Sequence, residues 1–216
     1  PGRLSPGTAQ IVTIQFNPHK AVMDHNPLFT DDYLLSLWEP EFNDYRTSGQ
    51  DEAIRDRLNK WAERDATLTE TQLEAQFDDL FFKQTWGYWG TGEKGREDGY
   101  CLNPQYGVDG AGQTGGKGSA DLALGWWGRE DVPTVPQALC EFKDIRSGLD
   151  APQRRKENDR SPVKQCFDYL KYAFDATDSH STITPTWGIV TDMNEFRLYA
   201  RRVGDSHYQR FFVRSA

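Results

Sequence analysis

Asp121, Glu141 and Lys143 are the residues whose types and spacing best equip this sequence for chemistry. Asp121 stands in the apolar run Ala120-Asp121-Leu122-Ala123-Leu124, and Glu141-Phe142-Lys143 closes a second run that begins at Val135. Both runs read as strands. Side chains alternate between the faces of a strand, so Glu141 and Lys143 project together while Phe142 points into the core. The interval between Asp121 and Glu141 allows one strand, a turn and a return strand alongside, which brings two carboxylates to one point. Carboxylate and carbonyl oxygens are the hard ligands that Mg²⁺ prefers, with Mn²⁺ as a substitute. Asp121, Glu141 and the Phe142 carbonyl are therefore candidate metal ligands. Lys143 beside them would orient or deprotonate a water, or offset charge building on a phosphate. The competing structural reading is an Asp121 turn cap and a cross-strand Glu141–Lys143 salt bridge.

These residues need elements to position them. Thr69 reads as the N-cap of a helix through about Lys83, with Leu73, Phe77, Leu80 and Phe81 as its apolar stripe. Glu74 lies on this helix, either as a further acid for the same or a second metal or as a solvated carboxylate. Residues 90–118 are Gly-rich, with short strand-like pieces such as Tyr100-Cys101-Leu102. After the polar loop 144–160, Ser161-Pro162 starts a helix to about Phe174. On it Gln165 and Tyr169 share a face at a spacing of four. Three strands follow, at Thr186–Thr191, Glu195–Arg201 and Tyr208–Val213. The order predicts an α/β core with a mixed central sheet flanked by helices, residues 67–216. Residues 1–66 read as a helical lead-in packed on it. There the spacing predicts one helix from Thr30 or Asp31 through Trp38, ended by Pro40, and another over Gln50–Arg64.

The pattern of an Asp, then Glu-x-Lys twenty residues on, resembles the PD-(D/E)XK nuclease superfamily. Glu74 on the preceding helix is similar in place to a further acid of that superfamily, and Gln165-x-x-x-Tyr169 on the following helix resembles the motif of its RecB-like branch. Shorter stretches resemble the N-terminal nuclease domains of single-chain type IIG and type ISP restriction-modification enzymes: Asn26-Pro27-Leu28-Phe29, Phe77 to Tyr88, Ser119-Ala120-Asp121-Leu122, Trp187 to Asp192 and Phe196-Arg197-Leu198-Tyr199. The resemblance implies a restriction-endonuclease-like fold and Mg²⁺-dependent DNA cleavage in restriction-modification or phage defence. Glu74, Asp121, Glu141, Lys143, Gln165 and Tyr169 would form the active site. It further implies DNA as partner, a methyltransferase and target-recognition part in the same or another chain, and a dimer on the substrate. The alternatives are a nuclease-like module that binds nucleic acid or a partner without cutting, and a resolvase or repair nuclease of the same superfamily.

Composition is compatible with that expectation. The net charge of -8 is unusual for a DNA binder, but residues 141–216 carry 13 Lys and Arg against 11 Asp and Glu. Arg146, Arg154, Arg155, Lys156, Arg160 and Lys164 form a candidate phosphate-contacting group, able to act within a Debye length of ~8–10 Å. Arg197, Arg201, Arg202, Arg210 and Arg214 form a second basic set. A mean hydropathy of -0.77 and the lack of any long apolar run argue against a membrane span, and no export signal is visible. The location expected is a bacterial or archaeal cytoplasm. Cys101, Cys140 and Cys166 are too far apart for a metal knuckle and read as buried thiols. The Ala111–Ser119 stretch imitates a nucleotide-binding loop but has Gly118 where the hydroxyl belongs, and Asn103-Pro104-Gln105-Tyr106 lacks the second Pro of a methyltransferase motif. The start at Pro1 rather than Met suggests processing, a tag remnant or an excerpt from a longer protein.

Overall fold

The computed structural model describes residues 26–63, 69–93, 99–132, 134–145, 147–153 and 159–213. The chain is a mixed α/β structure. Helices α1 (Asp31–Thr47), α2 (Gln50–Ala62) and α3 (Glu70–Phe77) come first, and α3 continues as a π-helix over Asp78–Thr85. Strands β1 (Tyr100–Val108), β2 (Gly118–Trp127) and β3 (Pro136–Phe142) follow. Helix α4 (Pro162–Asp175) then crosses to β4 (Trp187–Thr191), β5 (Glu195–Ala200) and β6 (Tyr208–Phe212). The six strands lie in chain order in one sheet. The β3–β4 pair is parallel, as a helical crossover requires, and the other neighbours are antiparallel.

Helices cover both faces of the sheet. On one face Leu122, Leu124, Cys140 and Phe142 meet Trp61 of α2, Leu73 and Phe77 of α3, and Phe81 and Phe82 of the π-helix. On the other, Ala123, Leu139 and Val190 meet Val163, Cys166, Tyr169 and Leu170 of α4. The central strands β2 and β3 are therefore buried on both sides, which explains their nearly continuous apolar sequence. Gly188 lets α4 approach β4 closely: a Cβ there would lie 2.9 Å from Cys166 Sγ and 3.0 Å from Leu170 Cδ1. All three cysteines are buried thiols.

Several boundaries differ from the sequence reading for identifiable reasons. Helix α1 does not stop at Pro40 but runs through it to Thr47. Thr30 caps it as expected, its hydroxyl accepting from Tyr33 N–H. Pro40 is exposed, so solvent can serve the carbonyl that proline leaves without a helical donor. Strand β1 extends through Pro104, which an edge strand tolerates because its outer side needs no ladder donor. The helix through Lys83 changes at Asp78 to i→i+5 bonding, with Trp86 N–H donating to the Phe81 carbonyl. The wider turn buries Phe81 and Phe82 together with Phe77, where a regular helical stripe would bury one of the consecutive pair. The expected boundary between lead-in and core falls among residues 64–68, outside the described residues. Trp61 nonetheless lies in the main core, its indole N–H donating to the Met193 carbonyl at 3.0 Å.

Candidate active site

The site forms where β2 and β3 separate. Leu122 pairs with Cys140 in regular antiparallel register. One step further, the Phe142 N–H donates to Asp121 Oδ2 at 2.6 Å, so a carboxylate takes the place of a strand carbonyl. The ladder continues on the other side, where Lys143 N–H donates to the Thr191 carbonyl of β4. The Phe142 ring is locked in the opposite face by Phe77, edge-on at 5.3 Å, and by Phe82, stacked at 5.7 Å. That anchoring fixes the direction of its two neighbours. Glu141 and Lys143 emerge together on the α4 side, only 1% and 5% exposed. The Lys143 ammonium donates to Glu141 Oε1 at 2.6 Å and to the Phe142 carbonyl. Burying two such charges is costly unless they are paired. The Glu141–Lys143 salt bridge expected as the structural alternative is thus present, but it joins residues two apart at the end of β3 and does not cross between strands.

Acids from α3 approach the same region. Glu74 and Asp78 are four residues apart and share a face. Asp78 is buried, and its Oδ1 has no hydrogen-bond partner among the described residues. Burial, reinforced by the nearby charges of Glu74 and Asp121, raises its carboxyl from 3.8 to about 7, with Lys83 opposing. Sequence reasoning chose Glu74 and missed Asp78. The signal was available, because an acid between Phe77 and Phe81 lies where the helix must be buried.

Gln105 was also missed. Its neighbours Pro104 and Tyr106 pair with Leu122 and Ala120, which puts it across from Asp121. Its side-chain amide donates to Glu74 Oε1 at 2.8 Å, and Ser119 Oγ donates to its Oε1 at 3.3 Å. To reach Glu74 it adopts φ +50°, a left-handed conformation costing a non-glycine residue about 1–2 kcal/mol. Ordinary strand positions prefer Ala over Gly. Here the order should invert: Gln105→Gly is expected to be more stable than Gln105→Ala by ~1 kcal/mol in urea unfolding. The usual order would show that the backbone is not held left-handed.

On α4, Gln165 donates to the Tyr169 hydroxyl, and Gln153 of the preceding loop donates to Gln165 Oε1 at 3.1 Å. Tyr169 is buried near enough to Glu141 that burial and then that carboxylate push its phenol upward. The two α4 residues are thus joined to each other and, through Gln153, to the loop that precedes the helix. The basic candidates are less concentrated there. Arg160 bridges the Ala111 carbonyl and Asp168, and Lys164 also pairs with Asp168. Arg146, Arg154, Arg155 and Lys156 lie outside the described residues. Arg197, grouped with a basic surface by sequence, is buried and pairs with Asp150 and Glu195, tying the loop after β3 to β5.

Among the described residues, no three His, Cys, Asp or Glu side chains are gathered tightly enough to hold a metal ion as they are placed. The donor chemistry nevertheless suits a hard divalent cation. The Lys143 ammonium is already held by Glu141 Oε1 and the Phe142 carbonyl, two oxygens assigned to the metal by sequence. Comparison with family models, curated proteins and solved structures finds no match to this chain.

Proposed function

We propose that this chain is a Mg²⁺-dependent DNA endonuclease of the PD-(D/E)XK type, the cleavage part of a restriction-modification or phage-defence enzyme. The reading is carried by one observation: where β2 and β3 part, Asp121 accepts from the Phe142 N–H while Lys143 donates to Glu141 and to the Phe142 carbonyl. Asp121, Glu141 and the Phe142 carbonyl would hold the ion, with Asp78 and Glu74 behind them. When bound, the ion polarises a phosphodiester and acidifies the attacking water. Lys143, freed from Glu141, donates to the phosphate oxygens and balances their developing charge. Tyr169, positioned by Gln165 and Gln153, closes the α4 side. DNA as the substrate follows from the motif resemblance.

The test is cleavage of duplex plasmid in Mg²⁺, in Mn²⁺ and in EDTA, with Asp121→Asn as the matched variant. Asn retains an oxygen for the Phe142 N–H and removes the charge. Cleavage should require metal and fall by about 10²–10³-fold in Asp121→Asn. Equal cutting by the two proteins would remove Asp121 from the reaction. A module that binds without cutting is favoured by the lack of a preformed three-carboxylate cluster among the described residues. For it, calorimetry should show no Mn²⁺ uptake that Asp121→Asn abolishes.

A further inference from the structure

Half of the large apolar side chains exposed among the described residues belong to helix α1: Tyr33, Leu35, Leu37, Trp38 and Phe42. Leu34 is the one buried residue on this helix of 17. A helix draws most of its stability from packing one face, and α1 also carries Pro40 in its interior. An apolar face left to water on such a helix marks an interaction surface.

Asp31, Leu35, Trp38, Phe42 and Arg46 follow one another at intervals of four, three, four and four. At 3.6 residues per turn they fall within an arc of about 80°. Leu35, Trp38 and Phe42 are 63%, 46% and 51% exposed, so this stripe is open along its length. The Arg46 guanidinium lies over the Phe42 ring at 5.9 Å, which places the two on one face. Neither Arg46 nor Asp31 has an ion-pair partner among the described residues. The other exposed apolar residues lie off the stripe. Tyr33 stacks on Phe29 at 5.7 Å, and Leu37 projects about opposite to Arg46.

The stripe is complementary to its own reverse. Two copies laid antiparallel about Trp38 set Arg46 of one against the partner's Asp31 and Asp32, at both ends. Leu35 then meets the partner's Phe42, and two Trp38 rings meet at the centre. This is the geometry of a twofold contact, in which one patch serves both chains. A parallel pair would oppose like charges at each end instead. Glu39 borders the stripe beside Trp38 and would approach its own copy, an unfavourable contact near the twofold axis.

We infer that α1 is a self-association surface on which a second copy of this chain docks antiparallel, closing over Trp38. The nuclease reading expects a dimer on the substrate, whereas this contact forms without DNA or metal and does not rest on that reading. One pair of 17-residue helices is smaller than the ~800 Å² per partner of a standard interface, so a dissociation constant on the order of 10 µM is expected.

Sedimentation velocity of the full chain in EDTA, from about 1 to 200 µM, provides the test. The parent should pass from monomer to dimer over that range. Trp38→Ala should weaken the dimer by about 100-fold or more, since each change counts twice. Glu39→Gln should strengthen it a few-fold. Arg46→Asp, and Asp31→Arg combined with Asp32→Arg, should each lose association by about tenfold alone and recover it when mixed, because only the mixture restores opposite charges at both ends. These side chains are exposed, so the thermal unfolding of the monomer should be unchanged. A parent that stays monomeric throughout would overturn the assignment and leave the face to a different partner or to other residues of this chain. A dimer indifferent to Trp38→Ala, or charge variants that do not recover on mixing, would overturn it as well. Neither metal nor cleavage enters the measurement, so this inference and the nuclease reading fail separately.

Discussion

Lys143→Ala should lose DNA cleavage by about 10²–10³-fold and, in EDTA, lose about 3–5 kcal/mol of stability as well. Both effects come from one ammonium. Glu141 is 1% exposed, and Lys143 is its ion-pair partner at 2.6 Å. Removing the lysine leaves a carboxylate in a medium that solvates it poorly, and truncating one member of a buried pair costs far more than the intact pair contributes. Mg²⁺ makes the experiment specific. If a cation takes the place of the ammonium between Glu141 and the Phe142 carbonyl, saturating Mg²⁺ should restore most of the lost stability while cleavage stays low. The double variant Lys143→Ala with Glu141→Gln has no stranded charge, so it should be more stable in EDTA than the single one and insensitive to Mg²⁺. Urea unfolding with and without metal checks both statements. A single variant as stable as the parent would mean that Glu141 is not charged or not buried. One that is destabilised and ignores Mg²⁺ would remove the cation from this position.

The second large effect belongs to Asp78. Its carboxyl is raised from 3.8 to about 7 by burial and by the charges of Glu74 and Asp121. Between those two pH values the folded chain keeps a proton that the unfolded chain has released. The folded state therefore binds more protons there, and stability must fall as pH rises. The contribution is complete below 3.8, is lost as pH rises through about 7, and levels off beyond it. An interval of about 3 pH units at ~1.4 kcal/mol each gives roughly 4 kcal/mol. Asp78→Asn has no proton to lose, so in EDTA at pH 8 it is expected to exceed the parent in stability by up to that amount, with a flatter profile toward acid. In Mg²⁺ the advantage should shrink, because a cation stabilises the ionised carboxyl that the parent alone possesses. Metal affinity should drop by about 10–100-fold in the variant if Asp78 supports the ligands. Chemical denaturation from pH 4 to 8 provides the test, and matching slopes for parent and variant would place the titration elsewhere.

The two predictions locate stability and proposed activity in the same few atoms. Asp78 is a buried carboxyl with one oxygen lacking a partner among the described residues, and relieving that cost by mutation should stabilise the chain at the expense of the proposed function. The site is assembled by the aromatic core. Phe142 lies between the two charged residues in sequence and is gripped by Phe77 and Phe82 from the helix that carries Glu74 and Asp78. Packing on one face of the sheet thereby aims carboxylates at the other end of the same contacts.

Much of this was legible in the residues alone. The mixed sheet with helices follows from the order of periodic segments, and the shared face of Glu141 and Lys143 follows from strand alternation. The pairing of Gln165 with Tyr169 follows from their spacing of four on a helix. These are local rules, each satisfied within a few residues. Other features depend on what lies across space. Pro40 stays in a helix because its flank is exposed. The π-helix exists because Phe81 and Phe82 both find room against β3 and β5. Asp78 matters because Asp121, forty-three residues later, comes beside it. Gln105 is held left-handed across from Asp121 because Glu74 lies within its reach. Arg197 left the basic surface because Asp150 and Glu195 enclose it. By itself the sequence determined that Glu141 and Lys143 share a strand face, and it offered Asp121 as their partner, since alternation is a local rule while register is not. Only the tertiary structure decided which groups surround that place and in what protonation they wait, because burial and the distance between charges are properties of the packed chain.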